Sequence, residues 1–73
     1  MNIKNDFTPR EVEVLNLLFD GLHNKEIAAV LNISVHTVKS HLEAIFPKLN
    51  VHNRLRAVLQ AVELGLIKQK KNP

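Results

Sequence analysis

The chain has no cysteine among its 73 residues. Without thiols there is no disulfide framework, and a reducing cytoplasm is the expected location. Long apolar runs are missing as well. The stretch AAVL at 28–31 is typical of them, far short of the roughly 20 residues of a membrane helix. The opening MNIKNDF carries no apolar stretch of the signal-peptide kind. No Gly-rich phosphate loop is present, and no strand alternation, repeat or inter-domain linker. The histidines at 23, 36, 41 and 52 show no ligand spacing with cysteine or carboxylates. The sequence therefore predicts no metal, no cofactor, no small-molecule ligand, no membrane partner and no enzymatic activity. A chain this short forms one small domain that buries only about 60% of its unfolded surface, so it needs an efficient core or a partner.

The charge is modest. Ten Lys and Arg face seven Asp and Glu, a net of +3. Three of those lysines, Lys68, Lys70 and Lys71, sit in the C-terminal tail, and without them the body is nearly neutral. A polyanionic partner is favoured only weakly by this excess.

What the sequence does contain is helical periodicity with clear start and stop signals. In FTPRE, Thr8 can cap a helix, Pro9 suits its first position, and Glu11 completes a capping box with Thr8. Phe7 can staple onto Val12. Val12, Leu15, Leu18 and Phe19 recur at helical spacing, widened by Val14 and Leu17. Gly21 suits a left-handed stop. In LHNKEIAAVLNIS, the residues Ile27, Ala28, Val30 and Leu31 make a compact apolar face. Its cap is His23 or Asn24: Asn24 has the better side chain, but Glu26 stands at the capping-box distance from His23. Ser34 caps a third helix carrying Val38, Leu42, Ile45 and Leu49 on one stripe. Pro47 lies inside it, and a distorted last turn is expected there. Asn50 can adopt the left-handed conformation and Asn53 can cap a fourth helix, which Gly65 stops. The expected fold is all-α, a compact four-helix bundle with helices at about 9–20, 24–31, 35–49 and 54–64. Residues 1–6 form an arm expected to be flexible, 7–67 the domain, and 68–73 a basic tail expected to fray.

A two-turn helix, a tight turn and a longer helix with a polar outer face make a helix-turn-helix, which lays its second helix in the major groove. Ala28 and Ala29 are small enough for close helix approach, Ile33 plugs the turn, and Val38 with Leu42 pins the third helix. His36, Lys39, Ser40 and Glu43 are left facing outward. By pattern alone this is either a DNA-binding domain or a helical protein-interaction module whose polar face is merely solvated.

Several motifs in fixed order narrow the choice: TPRE.EVL.L at 8–17, NKEIA..L.IS at 24–34, TVK.HL..I..KL at 37–49 and R..AV..A...GLI at 54–67. Together they resemble the LuxR/GerE-type helix-turn-helix DNA-binding domain of bacterial transcription regulators, over residues 7–67. That resemblance implies a recognition helix 3 and a dimer contact through helix 4. Lys39 and Ser40 match base-facing positions, with Glu43 one turn on. Thr37 and His41 match phosphate-holding positions, and Asn24 and Lys25 match a backbone clamp at the start of helix 2. Ser34, at the helix 3 cap, joins the phosphate-contacting candidates. His36 stands on the reading face as a further base candidate, with the DNA backbone or solvent as alternatives.

Physical chemistry weighs these roles. The Lys39 ammonium can reach guanine acceptors or a phosphate. Glu43 can accept from a cytosine amino group, point to solvent, or pair with Lys39 at i, i+4. Lys25 opposes the macrodipole of its helix unless an anion is close. His41 can donate to a phosphate or serve the core. Two departures from the family pattern stand out: His23 replaces a small hydroxyl cap, and Pro47 precedes KL.

On helix 4, Ala57, Val58 and Ala61 suit the core, while Leu55, Leu59 and Val62 form a second apolar stripe. Two copies related by a two-fold axis would bury that stripe and set their recognition helices about 34 Å apart, one DNA turn. The predicted function is sequence-specific binding of double-stranded DNA for transcription regulation, as a homodimer, with RNA polymerase a further candidate partner. The alternative is a dimerising interaction module that inhibits or partners another regulator.

Overall fold

Helix formation follows from how each segment begins and ends. The computed structural model describes residues 6–67, so the expectations for most of the arm and for the tail fall outside the described residues. Within them the chain forms α1 (Pro9–Phe19), α2 (Asn24–Leu31), α3 (Val35–Leu49) and α4 (Arg54–Glu63). Asp20 and Leu64, read as last helical residues, are instead the C-caps of α1 and α4.

Three of the four starts carry a side-chain cap. Thr8 Oγ1 accepts the Glu11 N–H at 3.1 Å, Ser34 Oγ accepts the Thr37 N–H at 3.0 Å, and Asn53 Oδ1 accepts the Arg56 N–H at 2.9 Å. α2 is the exception. Its N-cap is His23, which makes no side-chain cap hydrogen bond. Only the reverse half of the box is bonded, with a Glu26 carboxylate oxygen accepting the His23 backbone N–H at 2.7 Å. Asn24 is thus the first helical residue and not the cap.

All four ends use one device. Gly21, Asn32, Asn50 and Gly65 have positive φ, and the N–H after each bonds the carbonyl five residues back, at 2.9–3.1 Å: Leu22 to Leu17, Ile33 to Ala28, Val51 to Phe46, Leu66 to Ala61. These are Schellman ends, in which a left-handed residue turns the chain and the next side chain folds onto the helix. Leu22, Ile33, Val51 and Leu66 all pack against the core. Each turn is therefore short because an apolar plug closes it.

The core gathers Phe7, Val14, Leu15, Leu18, Ile27, Ala28, Val38, Leu42, Ile45, Leu49, Ala57, Ala61 and Ile67. On α1 the stripe is centred on Val14, Leu15 and Leu18, with Val12 and Phe19 at its margin. Two expectations about α2 need correction. Val30 is 60% exposed and Ala29 is exposed as well. An eight-residue helix packed chiefly on α3 covers only the stripe through Ile27, Ala28 and Leu31, and residues 29 and 30 fall outside it.

Pro47 also behaves differently from the expected distortion. α3 remains α-helical to Leu49. The proline removes only the N–H that would have met the Glu43 carbonyl, and both residues are exposed, so solvent can satisfy that oxygen. Ile45 and Leu49, both buried, hold the last turn on the core.

An ion pair with a buried carboxylate clamps the far end of α3 to the start of α1. Glu11 is only 5% exposed. Its Oε1 accepts from Lys48 Nζ at 2.8 Å and from the Thr8 N–H at 2.9 Å, and Oε2 accepts from Lys48 Nζ at 3.1 Å. Lys48 Nζ also donates to the Asp6 carbonyl at 2.8 Å and lies 5.4 Å from the centre of the Phe7 ring. Burial alone would raise the Glu11 pKa. The Lys48 ammonium and the Thr8 N–H outweigh it and hold the carboxyl below its ordinary value.

Candidate nucleic-acid interface

The turn between α2 and α3 fixes the geometry of the polar face. Asn32 in the left-handed region ends α2, Ile33 plugs the corner, and Ser34 starts α3 two residues later. With Val38 and Ile45 fully buried and Leu42 nearly so, the rotation of α3 about its axis is set. His36, Lys39, Ser40 and Glu43 then all emerge exposed on the opposite side. The four side chains read from the sequence as one outward face do share one.

Their local chemistry differs. Ser40 Oγ donates to the His36 carbonyl at 3.2 Å, which leaves its lone pairs to accept from an outside donor. No ion pair joins Lys39 to Glu43 among the described residues. Lys39 thus keeps an unpaired ammonium at the middle of the face.

The flank is built at two helix starts. At the first, Ser34 is exposed and Thr37 half-buried, and their hydroxyl oxygens are 2.9 Å apart. His41 is half-buried at the edge of the α3 face. At the start of α2, Lys25 is exposed and Asn24 half-buried. Asn24 Oδ1 is occupied, accepting from Arg54 Nη2 at 2.6 Å. The sequence reading gave Arg54 no role. Its signal, a cation opening a helix with no acid in its first turn, is visible in the sequence, but its partner thirty positions earlier is not.

On α4, Leu55 is 66% exposed and Leu59 54%. Val62 is half-buried and packs against the monomer's own core, so the three residues of the expected stripe are not equally available. Elsewhere the surface of the described residues carries shallow grooves. One of about 480 Å³ is lined by Glu43, Phe46, Pro47, Asn50, Val51 and His52, and one of about 210 Å³ lies beside Val30. Neither gathers a nucleophile and base. Among the described residues no His, Cys, Asp and Glu form a metal-sized cluster, and no helix is long and apolar enough to cross a membrane.

Comparison with known proteins agrees with this geometry. Residues 5–61 match the family described as bacterial regulatory proteins, luxR family. A probable transcriptional regulator, ycf29 of Cyanophora paradoxa, is 48% identical over 66 residues, spanning 90% of this chain and 31% of that protein. The nitrate/nitrite response regulator NarP of Escherichia coli is 52% identical over 52 residues, 71% of this chain and 24% of its own length. Among solved structures, the response regulator ChrA of a heme-sensing two-component system superposes with a TM-score of 0.81 at 47% identity. It covers 82% of this chain and 30% of its own. The chain therefore spans about a third or less of the length of these relatives. Fold, motif order and family match agree: the chain belongs to the luxR (GerE) family of bacterial regulatory proteins, a family of DNA-binding transcription regulators and not of enzymes.

Proposed function

We propose that the chain binds double-stranded DNA sequence-specifically, with α3 in the major groove. Lys39 and Ser40 contact base edges, with Glu43 and His36 at the margin of the reading surface. Asn24, Lys25, Ser34, Thr37 and His41 hold phosphates on either side. The observation that carries this reading is the outward, unpaired placement of Lys39 beside Ser40 on a helix whose other face is locked into the core. The start of α2 supports it: the His23 side chain makes no cap hydrogen bond there, so the amides of the first turn and the Lys25 ammonium suit a phosphate.

Two copies act together about a two-fold axis through Leu55 and Leu59, with Val62 at the edge. The exposed leucines support this contact, since burying two such side chains per subunit favours weak association at about 25 cal/mol per Å². Because the body carries little excess charge, phosphate contacts at these few places give the complex its affinity and its salt dependence. The chain acts in control of transcription, in the bacterial cytoplasm, with RNA polymerase as a further contact; the family match supports the regulatory role. A second reading, an interaction module that inhibits or partners another regulator, is favoured by the same leucines.

Titration of labelled duplexes separates the two. Selection from a random pool should yield a palindromic site, and Lys39→Ala should cut discrimination among its variants by about 1–3 kcal/mol. Unchanged affinity and preference in Lys39→Ala would overturn the base-reading role. No duplex binding at low salt, with tight binding to a protein partner, would favour the interaction module.

A further inference from the structure

α2 and α4 are joined through one side chain. Arg54 opens α4, and its guanidinium reaches back to the start of α2. Nη2 donates to Asn24 Oδ1 at 2.6 Å and Nη1 donates to the Leu22 carbonyl at 3.3 Å. A planar fork can hold two acceptors at once in this way, and an ammonium cannot do so with the same geometry. In its own helix Arg54 is a poor choice: it faces the positive end of the α4 dipole, with no acid in the first turn to offset it. The contact is exposed, so its contribution to stability is small. Its consequence is orientation.

A carboxamide has an acceptor end and a donor end. With Oδ1 engaged by Arg54, the Nδ2 end of Asn24 is left to donate elsewhere, one residue before the exposed Lys25 in the chain. A donor is what a phosphate oxygen requires. A reversed amide would present a carbonyl oxygen to the phosphate and repel it.

We propose that Arg54 is a positioning residue for DNA-backbone binding. It fixes the donor end of Asn24 for a phosphate, and it ties the clamp at the start of α2 to the helix that carries the Leu55 and Leu59 face. The inference rests on the reading of Asn24 as a phosphate contact. It adds that this contact is set by a residue of α4, so that clamp and dimer helix move as one unit.

The test measures binding of the whole chain to a labelled duplex across a salt series, with helix content followed by circular dichroism. Arg54→Lys keeps the charge and loses the fork, and Asn24→Ala removes the oriented amide while leaving the residues of α4 unchanged. Each should weaken binding about five- to tenfold, for every duplex alike. The double variant should be no weaker than either single one, because both remove the same contact. Arg54→Lys should leave the slope of log affinity against log salt unchanged, since no cation is lost. Wild-type affinity in folded Arg54→Lys, or losses that multiply in the double variant, overturns the proposal. If Arg54→Lys loses its helix content, Asn24→Ala decides, and wild-type affinity there overturns it. A wild-type chain that binds no duplex at all overturns the DNA reading itself, and that outcome is seen before any variant is compared.

Discussion

α3 and α4 are built alike and expose opposite things. Each buries one stripe, Val38, Leu42, Ile45 and Leu49 on the first and Ala57 and Ala61 on the second. Outside, α3 shows His36, Lys39, Ser40 and Glu43, whereas α4 shows Leu55 and Leu59. A polar face costs nothing to leave in water, so its chemistry is available for a ligand that comes and goes. An apolar face of two large side chains is tolerable on a monomer yet gains from being covered. The contrast teaches that one small domain can divide its surface by solvation: one helix suited to a hydrated, charged partner, the other to a second apolar surface.

The largest effect should come from crossing the line between buried and exposed leucines. Leu42 is 6% exposed and Leu59 54%. Leu42→Ala should cost about 2–5 kcal/mol, a large share of the stability of so small a domain. Leu59→Ala should stay within about 0.5 kcal/mol for the monomer. Chemical denaturation at low protein concentration measures both, and equal losses would erase the distinction between the two faces.

A smaller effect should appear when the α4 face is made polar. Leu59→Asp should leave affinity for a duplex with a single half-site near wild type. Binding to two half-sites spaced one turn apart should weaken by about 1–2 kcal/mol, the worth of one aliphatic side chain kept from burial. Equal affinity for the two-half-site duplex would remove α4 from the assembly.

The smallest prediction concerns the ion pair that holds the end of α3 to the start of α1. The Glu11 carboxyl is held below its ordinary value of 4.5 in the folded chain. Its contribution is therefore fully present above that value, and it is lost as the pH falls through the lower, folded-state value. Glu11→Gln should flatten this acid limb of the stability curve and cost about 1 kcal/mol at neutral pH, below the range for a fully buried pair because Lys48 remains partly exposed. Thermal melting of both proteins between pH 3 and 7 checks it. An acid limb unchanged in Glu11→Gln would assign that limb to other carboxylates.

Much of the fold was legible in the chain because helix signals are local. Thr8 with Glu11, Ser34 and Asn53 announce starts, and Gly21, Asn50 and Gly65 announce stops, each through groups within a turn of one another. The outward set on α3 was legible for a related reason: once Val38 and Leu42 are inside, a period of 3.6 residues puts Lys39 and Ser40 outside. Val30 and Ala29 were misread because periodicity gives the width of a stripe only when the covering neighbours are known. The run of α3 through Pro47 to Leu49 was legible, but the regularity of its last turn was not, since it depends on which side of the helix faces water.

The sequence alone determined an all-helical chain, the limits of its helices to within a residue and the polar character of the α3 face, since caps, stops and periodicity act over a few residues. Only the tertiary structure decided that Lys48 answers the buried Glu11, that Arg54 of α4 takes hold of Asn24 of α2, and that Val62 leans inward while Leu55 and Leu59 do not. The first two join positions thirty or more residues apart. They depend on how helices are laid across one another, and no local pattern records that distance.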